Sequence, residues 1–366
     1  MQIYAAYSQL LDRLEKTGRP IQTLGHTPDG SPLVAVRAGG DKLPAIFISA
    51  GSHSTEHAGV SAAVELIGQL HTDHQVWVIP TRDPVGLGGY AHALSLGLGE
   101  KPRLDSLAQV EELLRREGEV LYEDEGRLLA LVGDFGYSCC RPGTHSHDAQ
   151  WGFYLKLQEL QKTRPELLAP LRGRRLYMTP AQAGVEGTGD LGRAYTLIIS
   201  LEGEVLHLNR FHDTAWAPVE PRVTRQLLAR IRPGLSFDIH ESQLMGDRYW
   251  LSARHQKNPE DEAWEQRAAR ATIQAIAGAG ATLAEDQDVL GGVPIEKTWF
   301  RKSEKGVYWL DANLRGEGLN LMDYASRVYG MAFGTEMGMY GSFAHRVRLG
   351  MLTVQSAVKV FAERYQ

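Results

Sequence analysis

The chain has 366 residues and a mass of 40.5 kDa, with 43% apolar and 23% charged residues, a balance that excludes wholesale disorder and can bury a sizeable core. A net charge of −5 and a pI near 6.2 give no electrostatic footprint for nucleic acid or an anionic membrane, so the expected ligand is small. The opening MQIYAAYSQLLDRLEKTGRP lacks a basic start with an apolar run and cleavage site, and no later stretch has the roughly eighteen apolar residues of a membrane span. The reading is a cytoplasmic protein. The two cysteines, Cys139 and Cys140, are neighbours for which a mutual disulfide would be strained, and they read as unreactive thiols in or near a helix.

Tyr4, Tyr7, Leu10, Leu11 and Leu14 recur at helical spacing, so an amphipathic helix is expected over 4–16. IQTLGHTPDGSPLVAVRAGG predicts a hairpin, in which Pro28, Asp29 and Gly30 supply the fixed φ, the local side-chain hydrogen bond and the positive φ of a turn. PAIFISA (44–50) reads as a buried strand, 58–70 as a helix and QVWVIP (75–80) as a second strand. The stretch from 91 to about 190 alternates charged helical patterns with polar joints and is expected to be a helical insertion in one catalytic domain spanning 1–366. Strand signals return at 195–205 and at GLSFDIH (234–240), followed by a helix over about 260–279. A strand, YGMAFGTEM, and an amphipathic helix over about 343–364 close the chain.

AGSHSTEHAG sits just beyond the strand PAIFISA, at the edge where open α/β sheets bind ligands. His53 and Glu56, three apart, can aim an imidazole and a carboxylate at one point, although such a pair alone is weak evidence. A catalytic zinc takes three protein ligands and keeps one open position. His240 ends another apolar strand and can supply the third. Glu336 ends a mostly apolar strand, where a carboxylate either reaches the sheet edge or is paired. Arg210, a planar two-pronged donor, and Asn209 beside it could bind a carboxylate. Taken singly, each of these is as readily an ordinary solvated or satisfied side chain.

Together they resemble the zinc carboxypeptidases, the M14 metallocarboxypeptidases. The order matches: His53-x-x-Glu56 after a strand, Asn209-Arg210-Phe211, Asp238-x-His240 at a strand end, and Thr335-Glu336 on a late strand. GHTPDGSPLVAV is also similar to the family's opening hairpin, and IPTRDPVGLGGY to its N-P-D-G-like turn. The resemblance covers 1–90 and 193–345. It implies an α/β fold with a mixed, mostly parallel central sheet flanked by helices, here with the helical insertion.

It further implies one zinc ion held by His53, Glu56 and His240, with Glu336 as general base for the water that zinc activates. Asn209 and Arg210 would grip the free carboxylate of a peptide or small amide substrate, and Arg193, placed by its distance before Asn209, would stabilise the oxyanion. His57 is expected in a helix first turn, since a fourth protein ligand would close the position water needs. His207 stands where the family has the aspartate that orients its first zinc histidine. Tyr308, Tyr324 and Tyr329 are all candidates for a substrate-assisting tyrosine, and Met322, beside Asp323, for the specificity pocket. N-acyl amino acid deacylases of the aspartoacylase and succinylglutamate desuccinylase type share the scaffold and are the alternative. A scaffold without catalysis would lack a ligand or the base, and all four residues are present.

Overall fold

The computed structural model describes residues 1–145, 148–179, 191–242, 246–289, 293–310 and 318–366. A mixed ten-stranded sheet runs, edge to edge, through Ile21–His26, Pro32–Gly39, His74–Ile79, Lys42–Ala50, Leu235–Ser242, Met331–Gly338, Arg248–Arg254, Val307–Leu310 and Phe300–Glu304, with the short Thr282–Leu283 paired to Arg248–Arg254. Its centre is parallel: Leu235–Ser242 lies between Lys42–Ala50 and Met331–Gly338 and runs with both. Strands covered on both faces read as unbroken apolar runs, and 45–50 is buried throughout. Alternation then divides the run. Ile46, Ile48 and Ala50 join Phe237, Ile239 and the helices His57–Gln69, Pro259–Gly278 and Phe343–Arg364 in the larger core. Phe47 packs on the other face with Leu227, Leu228 and Leu321 from the helices Val219–Ile231 and Leu321–Val328.

The opening hairpin forms as its turn residues dictate. Ile21–His26 pairs antiparallel with Pro32–Gly39, Asp29 Oδ1 accepts from the Thr27 hydroxyl at 2.6 Å and from Ser31 N at 3.0 Å, and Gly30 takes φ +80°. No helix among the described residues is long and apolar enough to cross a membrane.

Residues 91–190 hold the expected helices, among them Leu107–Glu117 and Phe153–Thr163, and also strands that the sequence reading omitted. Glu119–Glu123, Arg127–Val132, Phe135–Cys140 and Arg175–Met178 join Tyr195–Ile199 and Val205–His207 in a second, six-stranded sheet. Their runs are short and several carry charges, so single-segment periodicity understates them; pairing and burial in the sheet stabilise them. Cys139 and Cys140 end one of these strands rather than lying in a helix, and Cys139 Sγ packs near one, 3.4 Å from Leu107 O. Both are buried and unlinked, and burial pushes the Cys139 thiol well above its ordinary range, which keeps it inert. Arg175 and Glu220, paired bidentately at 2.7 and 2.8 Å, tie this sheet to the helix Val219–Ile231.

Asp83, 1% exposed, accepts from Gly86 N at 2.9 Å, and burial pushes its carboxyl up to about 7. Its folded pKa lies above the unfolded value of about 3.9, so the native state holds a proton that the unfolded state releases, and stability falls as pH rises between the two. Asp83→Asn keeps the acceptor and removes the titration. Thermal unfolding in the presence of a chelator is expected to show a shallower loss of Tm between about pH 4 and 7 for Asp83→Asn than for the wild type; an equal slope would assign the titration to other groups.

Candidate metal centre

Three strand ends build the site. Lys42–Ala50 stops one residue past Ser49, with Ala50 opposite Ile239, and Gly51 then turns the chain at φ +58°. A Cβ at Gly51 would lie 2.7 Å from Thr81 Oγ1 and 2.8 Å from Val60 Cγ2, so this close approach requires glycine. Its carbonyl accepts from Arg82 N and Asp83 N, both at 3.0 Å, and the Ser54 hydroxyl donates to Ala194 O at 2.5 Å. The turn therefore holds His53 and Glu56 above the end of Leu235–Ser242. His240 and Glu336 lie side by side in register on the two adjacent parallel strands.

His53 Nδ1 is 2.5 Å from Glu56 Oε1, and His240 Nδ1 is 2.9 Å from Glu56 Oε2. One ligating atom from each of the three residues lies within 4.8 Å of the others. The remaining imidazole nitrogens are both engaged: His53 Nε2 is 2.9 Å from His207 Nδ1, and His240 Nε2 is 2.8 Å from Asp238 Oδ2. With Nδ1 reserved for a cation, each Nε2–H donates outward, which fixes tautomer and ring plane as a metal histidine needs. Asp238 is itself held by Arg82 Nη2 at 2.7 Å and Asn209 Nδ2 at 2.8 Å. Two oriented imidazoles and a carboxylate on three separate anchors fit a zinc ion with an open position.

Electrostatics favour a cation here. Burial opposes the charge on His240, but Asp238 and Glu56 overcome it and hold the imidazole well above its ordinary pKa. Burial likewise works against ionised Asp238, while Arg82 and His240 bring it well below the usual carboxylate range. Burial, reinforced by Glu56 and Asp238, pushes Glu336 up to about 8 against the pull of His240 and Arg210. A nearby dication would favour the ionised form of Glu336. These residues open into a cavity of about 190 Å³. Tyr195, Arg210, Gln150 and Trp151 line it near the cluster, and Trp250, Trp299, Phe300, Val289 and Met322 form an apolar side.

No family model matches the sequence, and no curated protein matches it. Solved structures do. A provisionally assigned metallopeptidase of Shewanella denitrificans OS217 superposes with a TM-score of 0.50 at 14% identity, over 96% of this chain and 87% of that one. A provisionally assigned carboxypeptidase A of Shewanella denitrificans OS-217 gives 0.51 at 12% identity, over 98% of this chain and 70% of that one. This chain has the zinc carboxypeptidase-like fold.

His53, Glu56, His240 and Glu336 converge at the end of the carboxypeptidase-like sheet. Arg210 lines the cavity; its Nη1 donates to Asn209 O at 2.9 Å, and its other nitrogens have no partner among the described residues. Asn209, expected to bind substrate, also lines the cavity, but its amide is engaged within the protein. Nδ2 donates to Asp238, and Oδ1 accepts from Arg82 Nη1 at 3.1 Å and Leu321 N at 3.0 Å. It braces the partner of His240 instead.

Arg193 does not reach the cavity. It is 1% exposed, and its guanidinium donates to the carbonyls of Tyr4, Leu87 and Gly192, with His57 Nδ1 3.0 Å from Nη2. The distance along the chain located it near the site, but its side chain turns to the far side of the His53–Glu56 turn. His57 opens its helix, as expected, and faces Arg193.

Tyr308 bonds Asp286 at 2.9 Å, while Tyr324 and Tyr329 pack on each other with ring centroids 6.0 Å apart; none lines the cavity. Met322 does, and Asp323 points away into a buried pair with Arg254 at 3.0 Å. Tyr195, Gln150 and Trp151, together with Trp250, Trp299, Phe300 and Val289 on the apolar side, are among the cavity residues that sequence reasoning missed. As an aromatic residue opening an apolar strand, Tyr195 reads as core.

His207, 3% exposed, is the group that orients His53. His207→Ala is expected to weaken zinc binding about 10- to 100-fold, read by competition with a chromophoric chelator, and to shrink the rise in Tm that zinc produces. Unchanged zinc affinity would show that the ring plane of His53 is fixed without this contact.

Proposed function

We propose that the protein is a zinc-dependent hydrolase that cleaves an amide bond next to a free carboxylate, in the manner of a carboxypeptidase. The observation that carries this reading is the convergence of His53 Nδ1, His240 Nδ1 and the Glu56 carboxylate on one point, with Glu336 in register beside His240. His53, Glu56 and His240 would hold the ion, which supplies Lewis-acid polarisation of the scissile carbonyl and a lowered pKa for water.

Glu336 removes a proton from the attacking water as its oxygen bonds to the carbonyl carbon. It returns that proton to the nitrogen as the C–N bond breaks, leaving a carboxylic acid and an amine. Arg210, with donors unclaimed among the described residues, takes the terminal carboxylate. The apolar side of the cavity supports a bulky apolar group on the released residue, and among the described residues that form it none is acidic. Gln150 and Trp151, from the 91–190 segment, line the same cavity and favour a short acyl side. That wall is the reason to keep N-acyl amino acid hydrolysis as a second reading.

Removing metal with a chelator is expected to abolish hydrolysis, and added zinc to restore it. Glu336→Gln should lower kcat by at least about 100-fold with zinc still bound. Retained turnover in that variant would overturn the mechanism. Arg210→Met is expected to raise KM for substrates with a free carboxylate and to erase their advantage over the corresponding amides, since a charged pair contributes more than a neutral contact. A panel of blocked dipeptides and N-acetyl amino acids, each ending in Phe, Leu or Lys, separates the two readings and tests the apolar preference.

A further inference from the structure

The proposed hydrolysis needs a donor for the carbonyl oxygen as it gains charge, and such a donor is among the largest single contributions to amide cleavage. Arg193 cannot serve, because its guanidinium is spent on three backbone carbonyls outside the cavity. Two residues further on, the strand Tyr195–Ile199 begins with a side chain that lines the cavity. The Tyr195 ring stacks on the imidazole of His53, with centroids 5.3 Å apart and planes 19° from parallel. It is 8% exposed, and its hydroxyl has no hydrogen-bond partner among the described residues. The strand that carries it is rigidly paired, Tyr195 lying opposite Met178.

Resting on the hydrolase reading above, we propose that Tyr195 is a catalytic residue whose hydroxyl donates a hydrogen bond to the carbonyl oxygen as the attacked carbon becomes tetrahedral. Tyr195 lines the same cavity as Glu56, Arg210 and Glu336. Glu56 is a proposed ligand, Arg210 the carboxylate anchor and Glu336 the base, so the phenol lies among the groups that surround the scissile bond. A phenol is neutral at neutral pH, so the hydroxyl is present as a donor. No proton is transferred. The hydrogen bond strengthens as charge builds on the oxygen, and a donor already held in place by stacking needs no reorganisation. Tyrosine thus takes the place that the resemblance gives to an arginine, without a further positive charge beside a dication.

Tyr195→Phe removes the hydroxyl and keeps the stacked ring. In the zinc-loaded enzyme, acting on whichever dipeptide or N-acetyl amino acid the wild type cleaves, kcat is expected to fall about 100- to 1,000-fold with KM nearly unchanged. The tetrahedral phosphonate analogue of that substrate should lose affinity by a similar factor, while the carboxylate product binds as before. Zinc affinity, measured by chelator competition, should match the wild type.

Full kcat and full phosphonate affinity in Tyr195→Phe would overturn the assignment; if Glu336→Gln is inactive in the same assay, the hydrolase reading stands without it. A loss of zinc affinity that accounts for the loss of kcat would make Tyr195 a positioning residue acting through His53, and would also overturn it. A wild-type enzyme that cleaves no member of the panel with zinc bound would remove the hydrolase reading, and this proposal with it.

Discussion

The site depends on one buried carboxylate that is not itself a proposed ligand. Glu241 follows His240 on the central strand and points to the opposite face of the sheet, where Oε2 accepts from Ala58 N at 2.6 Å and Gly59 N at 3.4 Å. Oε1 meets the guanidinium of Arg346 from the C-terminal helix. The first backbone N–H groups of the helix His57–Gln69 have no partners within the helix, and its positive end favours an anion. Glu241 supplies the acceptor for those N–H groups, and in doing so fixes the helix start against the end of the central strand. Glu56 immediately precedes that helix. The clamp therefore sets the distance between Glu56 and His240, residues that are far apart in the chain and belong to different elements.

The same economy governs charge. Glu56, Asp238, Glu241 and Glu336 lie within one small volume, opposed by Arg82, Arg346, Arg210 and His240. Arg82 and Asp238 form a buried pair at 2.7 Å, and a buried pair of this kind is stable only when its remaining donors and acceptors are also satisfied. Asn209 and His212 engage Nη1 of the arginine, leaving its Nε without a partner among the described residues, and Asn209 and His240 engage the second oxygen of the aspartate. This explains why Asn209 is drawn inward although an Asn-Arg pair at a strand edge has the chemistry of a carboxylate grip. Its two amide ends are committed to the buried pair, which leaves Arg210 for the proposed grip.

What was legible in the sequence follows from how far each signal reaches. PAIFISA, GLSFDIH and YGMAFGTEM are apolar runs long enough to declare themselves as buried strands, and their ends, read together with the order of motifs, single out His53, Glu56, His240 and Glu336 as candidates. The second sheet was not legible because EVLYE and FGYSCC carry no pattern that survives outside their pairing. Arg193 shows the other limit. Spacing along the chain gives a position to within a few residues, but just before a strand one residue decides which side of a turn a side chain takes. Tyr195, two positions on, takes the side that Arg193 does not.

The second sheet also changes how the 91–190 segment is understood. Its last strand, Val205–His207, ends in the histidine that meets His53, and Tyr154 from the same segment stands edge-on to His207 at 5.7 Å. Trp151, which lines the cavity, packs on Tyr154 at 5.3 Å. The segment that narrows the cavity thus also packs on the histidine that meets His53, so the shape of the cavity and the setting of His53 are built by one piece of the fold.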